Sequence, residues 1–343
     1  MKKINAGAPS ITQAEIDLVT EAVREGWGTK KNYYIDQFID EFSTYVKVDY
    51  CLPTSHCNDA LHLAMVALEI GPGDEVIVPD LTWVSSAAAD VYVGASPVFA
   101  DIDPVNWCLN AETISRCITE KTKAVVVVDL LGNMPEYSEI QDLCEKHSIF
   151  IVEDSAQGIG ATYEGKQSGT FGEMGLFSFN ATKLIMSGQG GAFCTNDKKL
   201  YERAKIFCHH GIDKSSPKYY WSHVVGYHYN WTNIQAALAL AQLRRIDELI
   251  LYKKWLFHEY EKYLGKVEGI TLNTVSANVD STYWITTVII DEYYGLKKED
   301  VCNRFQKYQI DMRPLFYPIS AMPPYQKYHF GKMMSEENPI TYQ

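Results

Sequence analysis

The chain has 343 residues, 46% hydrophobic and 22% charged, the composition of a soluble globular protein with enough length for two domains, or one large and one small. Its 43 acidic side chains outnumber 31 basic ones and leave a formal charge of −12, which argues against a general nucleic-acid or membrane-surface role, since both need a basic field. No stretch reaches the ~20 apolar residues of a membrane span, the start "MKKINAGAPSITQAE" has no apolar signal region, and the eight cysteines form no CxxC pair. A reducing cytoplasm is the expected setting.

In chain order, "TQAE" (Thr12 to Glu15) reads as a capping box opening a helix that stops near Gly26. From about residue 58 to 155 helical and strand patterns alternate. "DALHLAMVALEIGPGDEVIVP" is a helix, a Gly-Pro-Gly turn and a short apolar strand; "SPVFADID" and "KAVVVVDL" are further strands, and "PEYSEIQDLCEKHSIFIVED" adds a helix and a strand. Short strands without polar alternation, separated by helices, predict an α/β fold with a mostly parallel sheet covered on both faces. The run 232–264 predicts one long helix with Thr232 as N-cap. After it the rhythm changes: "STYWITTVIID" is expected to be a strand and "LKKEDVCNRFQKY" a helix. The division expected is a large domain over 1–245 and a small C-terminal one over 246–343.

In a parallel α/β sheet, ligands collect at the carboxyl ends of the strands. "SIFIVEDSAQ" is an apolar strand ending in Asp154, which either faces such a crevice or caps the next helix. Lys183 lies 29 residues downstream in the otherwise uncharged run "FSFNATKLIMSGQGGAF". A recessed amine is a nucleophile because an apolar setting lowers its pKa. A strand-end carboxylate together with a recessed lysine is what pyridoxal 5′-phosphate (PLP) requires: the lysine joins the aldehyde, and the acid keeps the pyridinium nitrogen protonated. A helix start at Asn58-Asp59 and the hydroxyl of Ser178 are candidates for the phosphate, and Trp83 for a ring platform, although singly Trp83 reads as core and Asn58 as a cap.

These motifs resemble the DegT/DnrJ/EryC1/StrS family of PLP-dependent nucleotide-sugar aminotransferases, from about residue 8 to 342. The resemblance is carried by "GWGTK", "GPGDEVIVPDLTW", "GASPVFADID", "TKAVVVVDLLGN", "VEDSAQGIGATYEGKQSGTFGEMGLFSFNATK", "GQGGAF", "GYHYNWTNIQAALALAQL" and "MRPLFYP". It implies a fold type I PLP enzyme, similar to aspartate aminotransferase, working as a homodimer with active sites shared at the subunit interface. By position, Lys183 would bond the cofactor and Asp154 would pair with its pyridinium. Gln157 and Trp83 would pack on the two ring faces, and Asn58, Asp59 and Ser178 would surround the phosphate. Asn230 would reach that phosphate from the neighbouring subunit, and Arg313 and Tyr317 would lie near the substrate cleft.

The chain departs from the family pattern at Cys57-Asn58, where Gly-Thr or Gly-Ser is usual, and at "GQGG", which replaces Gly-Glu-Gly-Gly. It also stops at "NPITYQ", where relatives continue through a Gly-Leu/Ile-x-Leu-Pro-Ser segment and a final helix, which implies a shortened small domain. The reaction implied is amino transfer from L-glutamate, giving 2-oxoglutarate, to a ketone of a nucleotide-linked 6-deoxy sugar, with the cofactor passing through its pyridoxamine form. Within the family the chain is most similar to the GDP-perosamine synthase group, which aminates C4. C3 amination, and dehydration by the branch in which histidine replaces the lysine, are the alternatives.

Three rival readings compete with this one. "GIGATY" is a partial dinucleotide motif with Tyr163 in place of the third glycine, the signal for an NAD-dependent oxidoreductase. "CHHG" (Cys208 to Gly211) lacks the i, i+4 spacing of a metal-binding helix. A non-catalytic relative would not need Lys183, Asp154 and Ser178 together.

Overall fold

The computed structural model describes residues 3–213, 215–330 and 332–342. Helices α1 (Gln13–Glu25) and α2 (Tyr33–Val46) lead into β1 (Tyr50–Thr54). The chain then alternates α3 (Cys57–Ala67), β2 (Glu75–Pro79), α4 (Ser85–Tyr92), β3 (Ser96–Ala100), α5 (Ala111–Ser115), β4 (Thr122–Val128), α6 (Tyr137–His147) and β5 (Phe150–Asp154). A ribbon of β6 (Thr162–Tyr163) and β7 (Lys166–Gln167) precedes β8 (Met174–Ser178) and β9 (Gly191–Thr195). Helices α7 (Lys198–Cys208), α8 (Asn233–Leu243) and α9 (Ile246–Leu264) follow. The remainder holds β10 (Ile270–Leu272), β11 (Val279–Asp280), β12 (Val288–Ile290), α10 (Lys298–Lys307) and α11 (Met334–Glu337).

Seven strands form one sheet in the order β1-β9-β8-β5-β4-β2-β3. Strands β3, β2, β4, β5 and β8 run parallel, and β9 runs antiparallel to both β8 and β1. The expected α/β fold with a mostly parallel, doubly covered sheet is the observed one. Val125, Val126 and Val127 on β4 are all fully buried, so side chains pointing to either face meet apolar cover, which is why this strand reads as an unbroken apolar run. The capping box is also present: the N–H and hydroxyl of Thr12 both donate to Glu15, each at 2.6 Å. Among the described residues no helix is long and apolar enough to cross a membrane.

Two expectations are corrected. The single helix over 232–264 is two: Thr232 does cap α8 by accepting from Gln235 N, but α8 stops at Leu243 and α9 restarts at Ile246. No glycine or proline marks the break. It falls where Arg244 turns to Glu41 (2.6 Å) and Arg245 to the buried Glu15 (2.6 Å) and to Glu248 (2.8 Å). Burial pushes the Glu15 carboxyl up, but hydrogen bonds from Thr12, Arg245 and Gln242 outweigh it and hold the group at about 2. Of "STYWITTVIID", only Val288–Ile290 is strand. Ser281 and Thr282 instead clamp the carbonyl of Gly132, through Ser281 Oγ at 2.6 Å and Thr282 N at 3.2 Å.

The segment after α10 returns to the sheet. Asp80, just beyond β2, accepts from Ser320 N (2.7 Å), Ser320 Oγ (2.6 Å) and Asn338 Nδ2 (2.9 Å). Asp101, beyond β3, accepts from Ile340 N (2.9 Å), Thr341 N (2.8 Å) and Thr341 Oγ1 (2.8 Å).

Candidate active site

Strands β1, β2, β4, β5 and β8 all end at the same edge of the sheet, and Asn58, Asp59, Trp83, Asp154, Gln157, Ser178 and Lys183 close or follow those ends. Asp154 closes β5 and is buried. Ser86 Oγ donates to its Oδ2 at 2.8 Å and Ala156 N to its Oδ1 at 3.2 Å. Burial raises its pKa, and the Ser86 and Ala156 bonds and the nearby Lys183 charge work against that rise.

Lys183 lies in the loop between β8 and β9. Phe179 N bonds Gly190 O (2.9 Å), Ala181 N bonds Gly188 O (3.0 Å), and Lys183 N bonds Asn180 O (2.9 Å), so the loop is a tight turn braced by its own backbone. Burial lowers the Lys183 pKa to about 8, against the pull of Cys57 and Asp154 in the other direction. Its Nζ stands 4.1 Å from the ring centroid of Trp284.

Ser178 pairs across the sheet with Gly191, which pairs in turn with Thr54 on β1. A Cβ at Gly191 would come within 2.5 Å of Cys57 N and 2.6 Å of His56 O, so glycine is what lets the first turn of α3 approach the Ser178 edge. First-turn N–H groups have no intrahelical acceptor and carry the positive end of the helix dipole, a seat for phosphate. Asn58, the second residue of α3, adds an amide. Asp59 does not add a donor: its carboxylate accepts from Ser55 Oγ (2.6 Å), lies 3.3 Å from His56 Nδ1, and its N–H is taken by His56 O (3.2 Å). Asn230 follows Tyr229, whose carbonyl accepts from Ser55 N (2.9 Å), which brings the 229–230 stretch to the foot of this helix.

Trp83 leaves from the end of β2, is 60% exposed, and meets Phe316 edge-on at 6.2 Å. Gln157 is buried on the turn after β5, where its Oε1 accepts from Leu131 N at 2.8 Å. That turn is held by Asp129, buried at the end of β4, which accepts from Tyr137 Oη (2.7 Å), Ser155 Oγ (2.9 Å) and Ser168 Oγ (2.6 Å). Arg313 and Tyr317 flank Phe316, the residue that meets Trp83. Arg313 is exposed and pairs with Asp311 at 3.4 Å, and Tyr317 donates to Glu299 at 2.6 Å.

Three residues of the site were not foreseen: Ser86, Asp129 and Trp284. Asp129 carries the same signal as Asp154, an acid ending an apolar strand. Ser86 and Trp284 carry no local signal, because their contacts are long-range. The dinucleotide rival loses its context, since "GIGATY" runs through turns into β6 with no helix after it.

The residues fit PLP. A carboxylate has about four acceptor sites. Asp80, Asp101 and Asp129 each take three or more donors, whereas Asp154 takes two and has capacity for a pyridinium N–H. A cation there would also offset the cost of burying the acid. A recessed amine, a buried acid and a helix start along one sheet edge define an aminotransferase-type site on an α/β fold.

The model of the DegT/DnrJ/EryC1/StrS aminotransferase family matches residues 9–339, and the chain belongs to that family. It is 38% identical over 337 residues to a GDP-perosamine synthase of Escherichia coli O157:H7, covering 98% of this chain and 91% of the relative. It is 36% identical to a GDP-perosamine synthase of Caulobacter vibrioides, covering 95% and 87%. Among solved structures it is similar to a putative sugar aminotransferase, Spr1654 of Streptococcus pneumoniae in its PMP form, with a TM-score of 0.90, 27% identity, and coverage of 99% of this chain and 90% of that one.

Proposed function

We propose that this chain is a PLP-dependent aminotransferase that moves an amino group from L-glutamate to the C4 ketone of a nucleotide-linked 4-keto-6-deoxy sugar, as in perosamine-type biosynthesis. It works in the cytoplasm as a homodimer with shared active sites, on a large domain over 1–245 and a small one over 246–343. The observation that carries the reading is the buried Asp154, with acceptor capacity to spare, within electrostatic reach of the recessed Lys183.

PLP, when bound, supplies an aldehyde carbon for the amino group and a ring that accepts electrons. Asp154 holds the proton on the ring nitrogen and is itself aligned by Ser86. Lys183 would hold the cofactor through its Nζ and, when released from it, would move a proton between the substrate carbon and the cofactor carbon in each half-reaction. An amine titrating near 8 suits that work, because its neutral and charged forms are both populated near neutral pH. Trp83 and Gln157 fix the ring plane. Ser178, Asn58 and the start of α3 bind the phosphate, with Asn230 reaching the site of a second copy. Asp59 belongs to the same turn and fixes His56 and Ser55 there. Arg313 and Tyr317 bind substrate from the small-domain side.

The test is a panel of nucleotide-linked keto sugars offered with L-glutamate, products read by mass spectrometry and NMR. A 4-amino sugar with stoichiometric 2-oxoglutarate is expected. A 3-amino or a dehydrated product corrects the position or the reaction, and no amino transfer to any member overturns the reading.

A further inference from the structure

The segment 281–284 is anchored more firmly than its lack of regular structure suggests. Ser281 and Thr282 both donate to Gly132 O, and a Cβ at Gly132 would lie 2.8 Å from Trp284 N, so the backbones meet directly. Tyr283 holds a left-handed φ of 49° while its ring stacks on Phe257 at 3.7 Å and 8°. A bulky residue keeps that conformation only where its surroundings impose it. The consequence is to deliver Trp284, 7% exposed, onto the lysine loop: its Nε1 donates to Thr182 O at 2.9 Å and its ring face lies 4.1 Å from Lys183 Nζ.

We propose that Trp284 is a positioning residue whose indole face is the resting seat of the Lys183 ammonium whenever that amine is not bonded to the cofactor. The inference rests on the reading of Lys183 as the cofactor-bonding lysine. In amino transfer that lysine is released once per half-reaction and must return to the same place. A flexible four-carbon arm left to itself samples many rotamers, whereas a ring face attracts the cation to one spot. The bond to Thr182 O ties the seat to the lysine's own turn, so the two move together. The other titratable groups acting on Lys183 are Cys57 and Asp154, and neither changes when Trp284 is replaced.

The test is trace acylation of the full chain across pH 6 to 11, with the Lys183 peptide followed by mass spectrometry, both without cofactor and saturated with pyridoxamine 5′-phosphate. In Trp284→Leu the labelling midpoint is expected to fall by about one pH unit, because only the charged amine gains from the ring face. Trp284→Phe keeps a ring and is expected to stay within about half a unit of the parent chain. An unchanged or raised midpoint in Trp284→Leu overturns the proposal. Should that variant not fold, biosynthetic replacement of tryptophan by 5-fluorotryptophan weakens the ring face at nearly constant shape. It must shift the midpoint the same way, and no shift is equally fatal. Borohydride trapping of PLP separates the two ideas: no adduct on Lys183 in the parent chain fails the functional reading, whereas trapping with an unmoved midpoint fails only the role of Trp284.

Discussion

Two parts of the sheet's carboxyl edge use the same residue type for opposite purposes. At the β2–β3 end, Asp80 and Asp101 are sealed by the returning C-terminal segment, whose Ser320, Asn338, Ile340 and Thr341 supply their donors. At the centre of the same edge, where β5 lies beside β8, Asp154 is equally out of water but receives only Ser86 Oγ and Ala156 N, and nearby stands Lys183, an amine whose charge burial has weakened. Both places bear the cost of burying a carboxylate. One recovers it by fastening chain to chain, whereas the other stays open to a cationic partner, and on the proposed reading that difference separates a brace from a reaction centre.

Replacement of Lys183 gives the largest expected effect. On the proposed reading Lys183→Ala removes both the covalent anchor and the proton carrier, and turnover is expected to fall by at least ~10⁴-fold, with melting temperature preserved within a few degrees. Turnover within tenfold of the parent would move the reaction centre elsewhere. Next is the acid: Asp154→Asn is expected to lower kcat by about 10² to 10³, and Ser86→Ala, which only loosens that acid, by about tenfold. The comparison is sharpened at the β2–β3 end by Ser320→Ala, which takes one donor from Asp80. There the account predicts a stability loss of about 1–2 kcal/mol in chemical denaturation and a kcat within twofold of the parent. A kcat loss larger than that of Ser86→Ala would show that the two places are not distinct.

The smallest effect concerns Asp90 on α4, fully buried with neither carboxyl oxygen hydrogen-bonded, its pKa pushed well up by burial alone. Below the unfolded-state value, near 3.8, the acid is protonated in both states and costs nothing extra. Above that value the unfolded chain gains by ionising while the folded one cannot, so stability drains away as pH rises toward the folded pKa. Asp90→Asn is therefore expected to be more stable than the parent at pH 8, with the advantage shrinking toward pH 4. Equal advantage at both pH values would contradict this.

What could be read from the chain alone follows the physics of each part. The sheet was legible because strands such as β4 and β5 are buried on both faces and write that burial as apolar runs bounded by helices. Asp154 stood out as the acid that closes such a run, and Lys183 as the one charge in the stretch that joins β8 to β9. The break between α8 and α9 was not, because it is set by Glu41 and Glu15, some 200 residues away in sequence, and no helix breaker marks it. Trp284 was hidden by its neighbours, since "STYWITT" has the β-branched and aromatic residues of a strand while its backbone is in fact bent around Gly132. Asp59 was placed at the right turn, but whether its carboxylate faces a phosphate or its own Ser55 and His56 is a matter of rotamer and hydrogen bonding, which spacing does not encode.

The most direct measurement is borohydride reduction of the PLP-loaded protein, followed by peptide mapping. A single phosphopyridoxyl group on the peptide that contains Lys183, lost in Lys183→Ala, is the predicted result. An adduct on any other lysine, or none, would contradict the assignment of the Asp154–Lys183 region as the reaction centre.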